Sequence, residues 1–327
     1  MGSLKWGILA PGGIAALFAQ DLQSAGRTLL AVGSRSQERA DQFAARYGAA
    51  RAYGSYEALV EDPDIEAVYI ASPHSEHAAH AELALRHGKH VLLEKPFTLT
   101  GVHARRVRDV ARETGLFAME AMRTRFMPHT VRIHELIKEG ALGEIKAFIA
   151  DHYQSLNTDP VGRLWNPALG GGALLDLGIY PVSFASDIMG TPKDITAVAT
   201  MTSTGVDLST SMIFKYDNGA IASLQTAMNA RGPNQATIIG EKARIEVGSV
   251  FYKSSKFKLI NGKDEVIEDF SEPYPFWGKQ YEAQEVERCI AAGLTESPRM
   301  TLDESVAIAE TMDKVREKIG LKYPAEA

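Results

Sequence analysis

The first third of the chain alternates short apolar runs with helical patterns, and this alternation constrains the fold more than any other feature. The apolar runs are 6–9, 29–32, 67–71 and 91–93, and the helical stretches are 14–24, 37–47, 76–87 and 101–114. Apolar runs separated by helices are typical of parallel strands covered on both faces by crossover helices. We therefore predict a doubly wound parallel sheet, ending near residue 122.

The pattern changes after residue 122. A helix is expected over 128–138, with Pro128 in its first turn. Longer strands are predicted at 145–152, 195–202, 209–216 and 220–227, hairpin turns at Asp217-Asn218-Gly219 and Asn261-Gly262, and a late helix from the stripe Ile308, Met312, Val315 and Ile319. We predict an α/β protein of two domains that share a cleft, residues 1–122 and 123–327, the second holding a large, mostly antiparallel sheet.

Composition excludes several functional classes. A length of 327 residues suits two domains. The chain has 35 Lys and Arg against 41 Asp and Glu, a formal charge of -6, with no basic block for nucleic acid or an anionic membrane surface. The single cysteine, Cys289, suits a reducing cytoplasm. No apolar run approaches the roughly 18 residues of a membrane span, so we expect a cytoplasmic protein without a nucleic-acid or membrane partner.

A glycine-rich turn follows the first predicted strand and begins the first predicted helix. It approximates the dinucleotide fingerprint GxGxxA, with Ala10 in place of the first glycine and Ala15 at the last position. Gly12, Gly13 and Ile14 would bring backbone amides at the start of the helix to the pyrophosphate. The alternative is an ordinary strand–helix turn, but its position in the first βαβ unit favours cofactor binding.

The end of the second predicted strand indicates which dinucleotide binds. NAD-specific sites commonly carry Asp or Glu about 20 residues after the fingerprint, to bind the ribose 2′-hydroxyl. This chain has Ser34 and Arg35 there, with Arg39 one turn later. Because a guanidinium is permanently charged and forks toward phosphate oxygens, these residues favour NADP over NAD. The alternative is a solvated arginine pair at a helix start.

Two polar segments follow the next predicted strands. Ser72, Pro73 and His74 come after one strand, and Glu94 and Lys95 follow another. Open α/β sheets bind ligands at the carboxyl ends of their strands, so both segments are assigned to the cofactor site. A lone lysine is usually solvent-exposed, but its place directly after a buried strand predicts that Lys95 directs a cation into the cleft.

With these motifs the chain resembles the Gfo/Idh/MocA oxidoreductases, and most of all the branch of dimeric dihydrodiol dehydrogenases and NADP-dependent D-xylose dehydrogenases. The resemblance spans nearly the whole chain and is carried by the fingerprint turn, the Ser-Arg strand end, Glu94-Lys95-Pro96 and the segment 170–181, GGGALLDLGIYP. It implies a Rossmann domain followed by an α/β domain whose open sheet forms a homodimer or homotetramer. Most of the family has His where this chain has Tyr180.

The resemblance implies catalytic roles for Lys95, Asp176 and Tyr180, and places His74 and His77 at the nicotinamide pocket. A free tyrosine has a pKa near 10, and a nearby lysine cation would favour its phenolate as the base for a substrate hydroxyl. Helical residues four apart share a face, which would bring Asp176 beside Tyr180. The glycines at 170–172 are expected to let the backbone approach the substrate.

One departure from the branch bears on the substrate. Arg123 stands where the dihydrodiol enzymes have an aromatic residue, which favours a sugar or acidic sugar derivative over an aromatic diol. The alternative is that Arg123 pairs with a carboxylate elsewhere. Arg163 and Trp165 are further candidates for substrate binding, as are Phe276 and Trp277, because aromatic rings stack on sugar faces.

Two alternatives were weighed against this interpretation. His74, His77 and His80 have a spacing that could ligate a metal, but metal sites usually combine ligands from two elements, so no metal is expected. A catalytically silent NADP-binding sensor or scaffold would need no Lys95, Asp176 and Tyr180. The predicted function is an NADP-dependent oxidoreductase that transfers hydride between nicotinamide and a secondary alcohol or hemiacetal carbon of a sugar, polyol or diol.

Overall fold

The computed structural model describes residues 4–156, 159, 162–253, 256–272 and 277–326 of the chain. The chain divides into two compact units, Met1–Met122 with Phe276–Val306 and Arg123–Pro275 with Ala307–Ala327. The sequence-based division also falls after residue 122, but it assigns all of 123–327 to the second domain. The later segment joins the first unit because the Asp21 carboxylate accepts hydrogen bonds from the backbone amides of Trp277 at 3.2 Å and Lys279 at 2.8 Å.

The first unit is built on a six-stranded parallel sheet. Its strands are β1 (Trp6–Leu9), β2 (Leu29–Gly33), β3 (Arg51–Tyr53), β4 (Ala67–Ile70), β5 (His90–Glu94) and β6 (Ala118–Ala121). They lie in the order β3-β2-β1-β4-β5-β6, and every neighbouring pair is parallel. The strand order reverses direction between β1 and β4, which is where such sheets bind ligands. The predicted doubly wound sheet is confirmed.

The helices of this unit begin and end where local capping chemistry favours it. They are α1 (Gly13–Ser24), α2 (Gln37–Tyr47), α3 (Tyr56–Glu61), α4 (His77–Arg86), α5 (Gly101–Thr114) and α8 (Lys279–Ala291). The Ser36 and Thr100 side chains cap the starts of α2 and α5, and left-handed Gly48 and Gly115 end them. These signals explain why both helices match their predicted bounds. The short β3 and α3 were not predicted, because three and six residues carry little periodicity.

The second unit contains an eight-stranded sheet. Its strands are β7 (Ile145–Tyr153), β8 (Asp194–Met201), β9 (Asp207–Lys215), β10 (Ile221–Ala227), β11 (Ala236–Gly240), β12 (Ala243–Val247), β13 (Phe257–Asn261) and β14 (Val266–Phe270). The order is β14-β13-β12-β11-β7-β10-β9-β8, and only the β7–β10 pair is parallel. The largely antiparallel sheet is therefore confirmed.

The two hairpin signals have different outcomes in detail. Asp217-Asn218-Gly219 joins β9 to β10 with a left-handed Gly219 (φ 83°), as predicted. Asn261-Gly262 begins the turn that joins β13 to β14, but the positive φ falls on Asp264 (62°) rather than on the Asn-Gly pair. The Asn261 side-chain oxygen accepts from the Lys263 and Glu265 amides, and this loop shifts the left-handed residue along the chain.

Helices cover one face of the second sheet. They are α6 (Pro128–Lys138), a π-helical turn over Leu174–Gly178, and α7 (Ile179–Met189); α9 (Leu302–Ile319) ends in this unit. Phe184 of α7 packs edge-on against Phe148 of β7, with ring centroids 5.4 Å apart. Ile308, Met312 and Val315 of the predicted stripe are buried.

One stretch of this unit corrects the hydropathy expectation. Pro167–Met189 is long and apolar enough to cross a membrane by length and composition, so the statement that no run approaches that length is wrong. It contains the π-helical turn and α7, and 78% of its apolar window is buried inside the protein. Such burial is what the core helix of a globular unit shows, so the stretch is weak evidence for a membrane span.

Candidate cofactor and catalytic residues

The turn after β1 has the form that a dinucleotide fingerprint requires. A Cβ atom at Gly12 or Gly13 would meet no heavy atom within 4 Å, and both glycines are exposed. Gly12 is the N-cap of α1 and makes no side-chain cap hydrogen bond to the first amides of the helix. Ala15 is fully buried against the sheet. The residues present therefore fit a bound pyrophosphate.

Ala10, which replaces the first fingerprint glycine, has a left-handed backbone with φ 67°. Side chains with a Cβ atom are disfavoured in this region, where glycine is the usual residue. The substitution therefore keeps the shape of the glycine turn while adding backbone strain.

The candidate residues for a 2′-phosphate lie at the end of β2. Ser34 is buried and its hydroxyl accepts from the Ser36 amide at 3.3 Å, whereas Arg35 and Arg39 are exposed at the start of α2. Burial raises the pKa of the Tyr56 phenol, and the neighbouring Arg35 guanidinium opposes that rise. Arg35 therefore stands beside Tyr56, at the end of β2 where the prediction required it.

The segment after β4 contains a fully buried histidine. Both ring nitrogens of His77 face carbonyl oxygens, Nδ1 that of Pro96 at 2.8 Å and Nε2 that of Ser72 at 2.9 Å. Burial lowers the pKa of His77. His77 thus joins the segment after β4 to the segment after β5, and a role toward the cofactor would pass through those backbone positions. Ser72 and His74 are also buried, with the His74 ring 5.6 Å from that of His77.

Glu94, the last residue of β5, has its carboxylate in a buried ion cluster. Its Oε1 lies 2.5 Å from Lys279 Nζ of α8 and accepts a short hydrogen bond from the Tyr69 hydroxyl, while Oε2 accepts from the Lys95 amide at 3.2 Å. The Lys279 cation offsets the effect of burial and holds the pKa of Glu94 below its usual value. The Glu94 side chain anchors the end of β5, where the half-buried Lys95 follows, and the role of Glu94 toward the cofactor stays a prediction.

Asp176 and Tyr180 lie in the second unit, on the π-helical turn and the first turn of α7. The prediction assumed α-helical spacing, whereas the backbone widens here to i→i+5 hydrogen bonding, a feature common at functional sites. Asp176 Oδ1 lies 3.0 Å from the Arg163 guanidinium, so two of the predicted site residues pair with each other.

The glycines before this turn serve the chain's own packing. A Cβ atom at Gly171 would lie 2.5 Å from the Leu164 carbonyl oxygen, and one at Gly172 (φ 109°) would collide with Asp207 Oδ1. Backbone and a buried carboxylate fill the space that a side chain would need at these two positions, and an approach of this backbone to a substrate stays a prediction.

Three rings meet at Tyr180. The Tyr180 centroid is 4.7 Å from that of Tyr252 and 5.1 Å from that of His152, and the His152 and Tyr252 rings are 4.0 Å apart. The Gln154 amide nitrogen contacts His152 Nε2 at 2.8 Å and the Tyr252 hydroxyl at 3.1 Å. The sequence analysis missed His152, Gln154 and Tyr252, since they come from β7 and a loop far along the chain and form no local motif.

The substrate candidates have mixed placements. Arg123 is buried, with its guanidinium 6.0 Å from the Tyr252 ring centroid, so it joins the surroundings of Tyr180. Trp165 is half-buried in a short 3₁₀ turn next to Arg163. Trp277 is exposed in the first unit, and Phe276 lies outside the described residues.

No group of three or more His, Cys, Asp or Glu side chains in the described ranges is arranged to hold a metal ion. His77, the middle residue of the considered set His74, His77 and His80, has both ring nitrogens on backbone carbonyl oxygens.

Comparison with known proteins agrees with this geometry. Residues 4–122 match the oxidoreductase family with an NAD-binding Rossmann fold, and residues 130–246 match the GFO/IDH/MocA C-terminal domain. Trans-1,2-dihydrobenzene-1,2-diol dehydrogenase of Mus musculus is 35% identical over 99% of both chains. The chain belongs to the Gfo/Idh/MocA oxidoreductase family.

Other relatives support the predicted branch of this Gfo/Idh/MocA chain. D-xylose 1-dehydrogenase (NADP(+)) of Hypocrea jecorina is 34% identical over 98% of this chain and 93% of its own. A 3-ketoreductase from Actinomadura kijaniata, solved with NADP and TDP-benzene, matches with a TM-score of 0.85 and 28% identity, covering 97% of this chain and 98% of that one. The predicted oxidoreductase class is confirmed and is favoured over a silent sensor or scaffold.

Proposed function

We propose that this oxidoreductase is an NADP-dependent dehydrogenase that transfers hydride between nicotinamide and a secondary alcohol or hemiacetal carbon of a sugar, polyol or diol. The observation that carries the proposal is the Tyr180 phenol, held among His152 and Tyr252 at the start of α7, in a chain whose other unit has the dinucleotide turn. A phenol so held is a candidate acid–base group for a hydroxyl.

The cofactor is assigned to the first unit. Gly12, Gly13 and Ile14 would hold the pyrophosphate at the start of α1, and Ser72, Pro73 and His74 follow the adjacent β4 at the same edge of the sheet. When bound, the dinucleotide supplies the hydride acceptor of the oxidation.

NADP is proposed over NAD because of the residues after β2. Arg35 and Arg39 are exposed cations at the start of α2, and the Ser34 hydroxyl lies with them. A phosphate on the ribose would receive charged hydrogen bonds there. The D-xylose relative is named for NADP(+), which supports the choice.

Residues of the chain accept and return the proton of the substrate hydroxyl. Tyr180 is the proposed base that takes the proton of the substrate hydroxyl, and Lys95 is proposed as a further catalytic residue that supplies a cation. Asp176, paired with Arg163 at 3.0 Å, orients the hydroxyl that reacts. In the reverse direction the protonated Tyr180 returns the proton to a carbonyl oxygen.

The substrate is proposed to be hydroxyl-rich. Arg123 and Arg163 offer guanidinium donors, and Trp165 offers an indole face next to Arg163. The relatives named for a dihydrobenzenediol and for D-xylose bracket the class of vicinal hydroxyl compounds.

The test follows NADPH absorbance at 340 nm with a panel of aldoses, polyols and cyclic diols. Tyr180→Phe and Lys95→Ala should each lower turnover at neutral pH by a factor of about 100 or more while NADP affinity is retained. Tyr153→Phe is the matched control, since it makes the same chemical change on β7, where the Tyr153 hydroxyl donates to Gln225 Oε1 at 2.7 Å. Near-normal turnover in both site variants would refute the proposed mechanism.

The proposal includes a homo-oligomer formed through the eight-stranded sheet by a second copy of this chain. Ile149, Val198, Ile213 and Ile221 lie on the sheet face opposite Phe148, with exposed fractions of 50%, 68%, 45% and 45%. Exposed apolar side chains on one sheet face favour association. Light scattering coupled to gel filtration should give a dimer or tetramer, and Ile213→Lys should shift it toward the monomer; a monomeric parent chain would contradict the proposal.

A cytoplasmic location completes the proposal. Its support is Cys289, the single cysteine, which is buried as a free thiol and whose pKa burial raises to about 11. Fractionation of cells that express the chain would test the assignment.

A further inference from the structure

The hydrogen bonds beside Tyr180 have a defined direction. A carbonyl oxygen can only accept, so the contact of His152 Nδ1 with the Leu177 carbonyl at 3.0 Å places a proton on Nδ1. In the neutral ring Nε2 then has a lone pair, which accepts a hydrogen bond from the Gln154 amide nitrogen at 2.8 Å. His152 is fully buried, so the ring has no alternative partner in water.

The Gln154 amide also sets the donor and acceptor roles at Tyr252. A side-chain amide nitrogen has two hydrogens; one is donated to His152 and the other to the Tyr252 oxygen at 3.1 Å. Tyr252 therefore accepts from Gln154, and its own hydroxyl hydrogen is directed away from that amide. The Leu177 carbonyl thus determines, through two side chains, how the Tyr252 hydroxyl is oriented.

The orientation matters because the Tyr180 ring packs against the Tyr252 ring. Its ring is tilted 38° to that of Tyr180 at a centroid distance of 4.7 Å. Burial raises the pKa of Tyr252 to about 12, and the charge of an ionised Tyr180 adds to the effect. Tyr252 therefore remains a phenol when Tyr180 is ionised, and a phenol is a hydrogen-bond donor.

We propose that Tyr252 is a positioning residue for the reaction, which donates its hydroxyl hydrogen to the ionised oxygen of Tyr180 and is held in that orientation by Gln154 and His152. The inference rests on the proposed role of Tyr180 as the base. No bond to carbon changes in this step, because the proton of the substrate goes to Tyr180 and the Tyr252 hydrogen bond only stabilises the charge that Tyr180 carries beforehand.

Titratable or charged groups on the neighbouring elements stay in place in the test. They are His152 from β7, Arg123 from the segment before α6, Lys253 next to Tyr252, and Asp176 on the π-helical turn. Tyr252→Phe removes the hydroxyl and keeps the ring, so these neighbours and the ring packing are retained.

The experiment measures kcat for alcohol oxidation from pH 5.5 to pH 10, under saturating NADP, with the substrate found in the panel above. In Tyr252→Phe the rising limb of the profile should move upward by about one pH unit, so that kcat falls about tenfold at neutral pH and recovers on the alkaline plateau. Gln154→Leu should move the limb in the same direction by less, and the double variant should resemble Tyr252→Phe. Tyr153→Phe is the control and should not move the limb.

The outcomes separate this inference from the proposed function. A loss of kcat by the same factor at every pH, in a Tyr252→Phe protein with an unchanged melting temperature, would assign Tyr252 a packing role and overturn the inference. An unchanged profile in Tyr252→Phe together with an inactive Tyr180→Phe would overturn the inference alone. A Tyr180→Phe protein with normal turnover would instead refute the proposed function.

Discussion

The Asp207 carboxylate accepts a hydrogen bond from the Leu174 backbone amide at 2.8 Å, and this contact connects β9 to the start of the π-helical turn that carries Asp176. Asp207 is fully buried, and its Oδ2 also accepts from the Thr210 hydroxyl at 2.7 Å. Gly172 lies against Oδ1, so the carboxylate and the glycine occupy one tightly packed place in the second unit.

Burial raises the pKa of Asp207 from its ordinary value to about 6. The folded protein therefore holds this proton more tightly than the unfolded chain, and the stabilisation by the neutral form is lost as pH rises from about 4 to about 6. Relative to a non-titrating residue, the loss amounts to about 3 kcal/mol at most. Urea unfolding of the parent chain and of Asp207→Asn should be measured between pH 4.5 and pH 7.5. The unfolding free energy of the variant should rise relative to that of the parent as pH rises. A constant difference between the two at every pH would contradict the assignment.

Gly172→Ala should destabilise the protein strongly. The substitution places a Cβ atom against Asp207 Oδ1 and forces an L side chain into φ 109°, which alone costs roughly 1–3 kcal/mol. The control is Gly190→Ala, which has a positive φ of 77° but no heavy atom within 4 Å of the new Cβ. Denaturant unfolding should give the larger loss for Gly172→Ala, because only that variant adds the collision; equal losses would show that backbone strain alone decides.

Ala10→Gly should relieve strain in the turn after β1. Left-handed backbone costs a residue with a Cβ atom about 1 kcal/mol, and the greater freedom of glycine in the unfolded chain returns part of that gain. We expect a net change in unfolding free energy of less than about 1 kcal/mol, with NADP affinity retained. Gly26→Ala, which introduces an alanine at φ 68° in an open surface position, is the reciprocal control and should destabilise. A loss of NADP affinity in Ala10→Gly would show that the alanine methyl group contributes to the site.

Lys279→Met should destabilise the first unit by about 3–5 kcal/mol, because it leaves the buried Glu94 carboxylate without its cation. Lys279 is only 3% exposed, and Glu94 6%, so water does not compensate for the loss. Adding Glu94→Gln should recover part of the stability, since the carboxylate that then loses its cation is Glu282, which is fully buried 3.6 Å from Lys279. Chemical denaturation of the parent, the two single variants and the double variant provides the measurement. If Glu94→Gln recovers no stability, the pairing of Lys279 with Glu94 is not the cause of the loss.

Arg35→Asp should raise the KM for NADP far more than the KM for NAD, because the new carboxylate repels a 2′-phosphate and can accept from a 2′-hydroxyl. Arg46→Asp makes the same charge change near the end of α2 and is the control. Steady-state kinetics with both dinucleotides at constant ionic strength provide the measurement. Equal effects of Arg35→Asp on the two constants would contradict the proposed cofactor preference.

Much of the first unit could be predicted from sequence because its signals are local. Buried strands such as Ala67–Ile70 and capped helices such as Gln37–Tyr47 have their apolar pattern, caps and glycine ends within a dozen residues. The dinucleotide turn is equally local, since strand, glycines and helix start are contiguous. In the second unit the same reasoning predicted α6 and the strands β7 to β10, whose lengths and turns are also contiguous signals.

What surrounds Tyr180 was decided only by tertiary structure. Residues 152, 154 and 252 reach it from β7 and from the loop after β12, and Asp207 reaches Gly172 from β9, so no spacing along the chain reports these contacts. Glu94 shows the same limit inside a motif, because its partner Lys279 lies on α8, far along the chain. Sequence by itself determined the longer elements with a clear apolar pattern and the chemistry they could carry, since periodicity, caps and turns act over a few residues. The direction of a hydrogen bond or the partner of a buried charge depends on side chains that meet only once the sheet has formed.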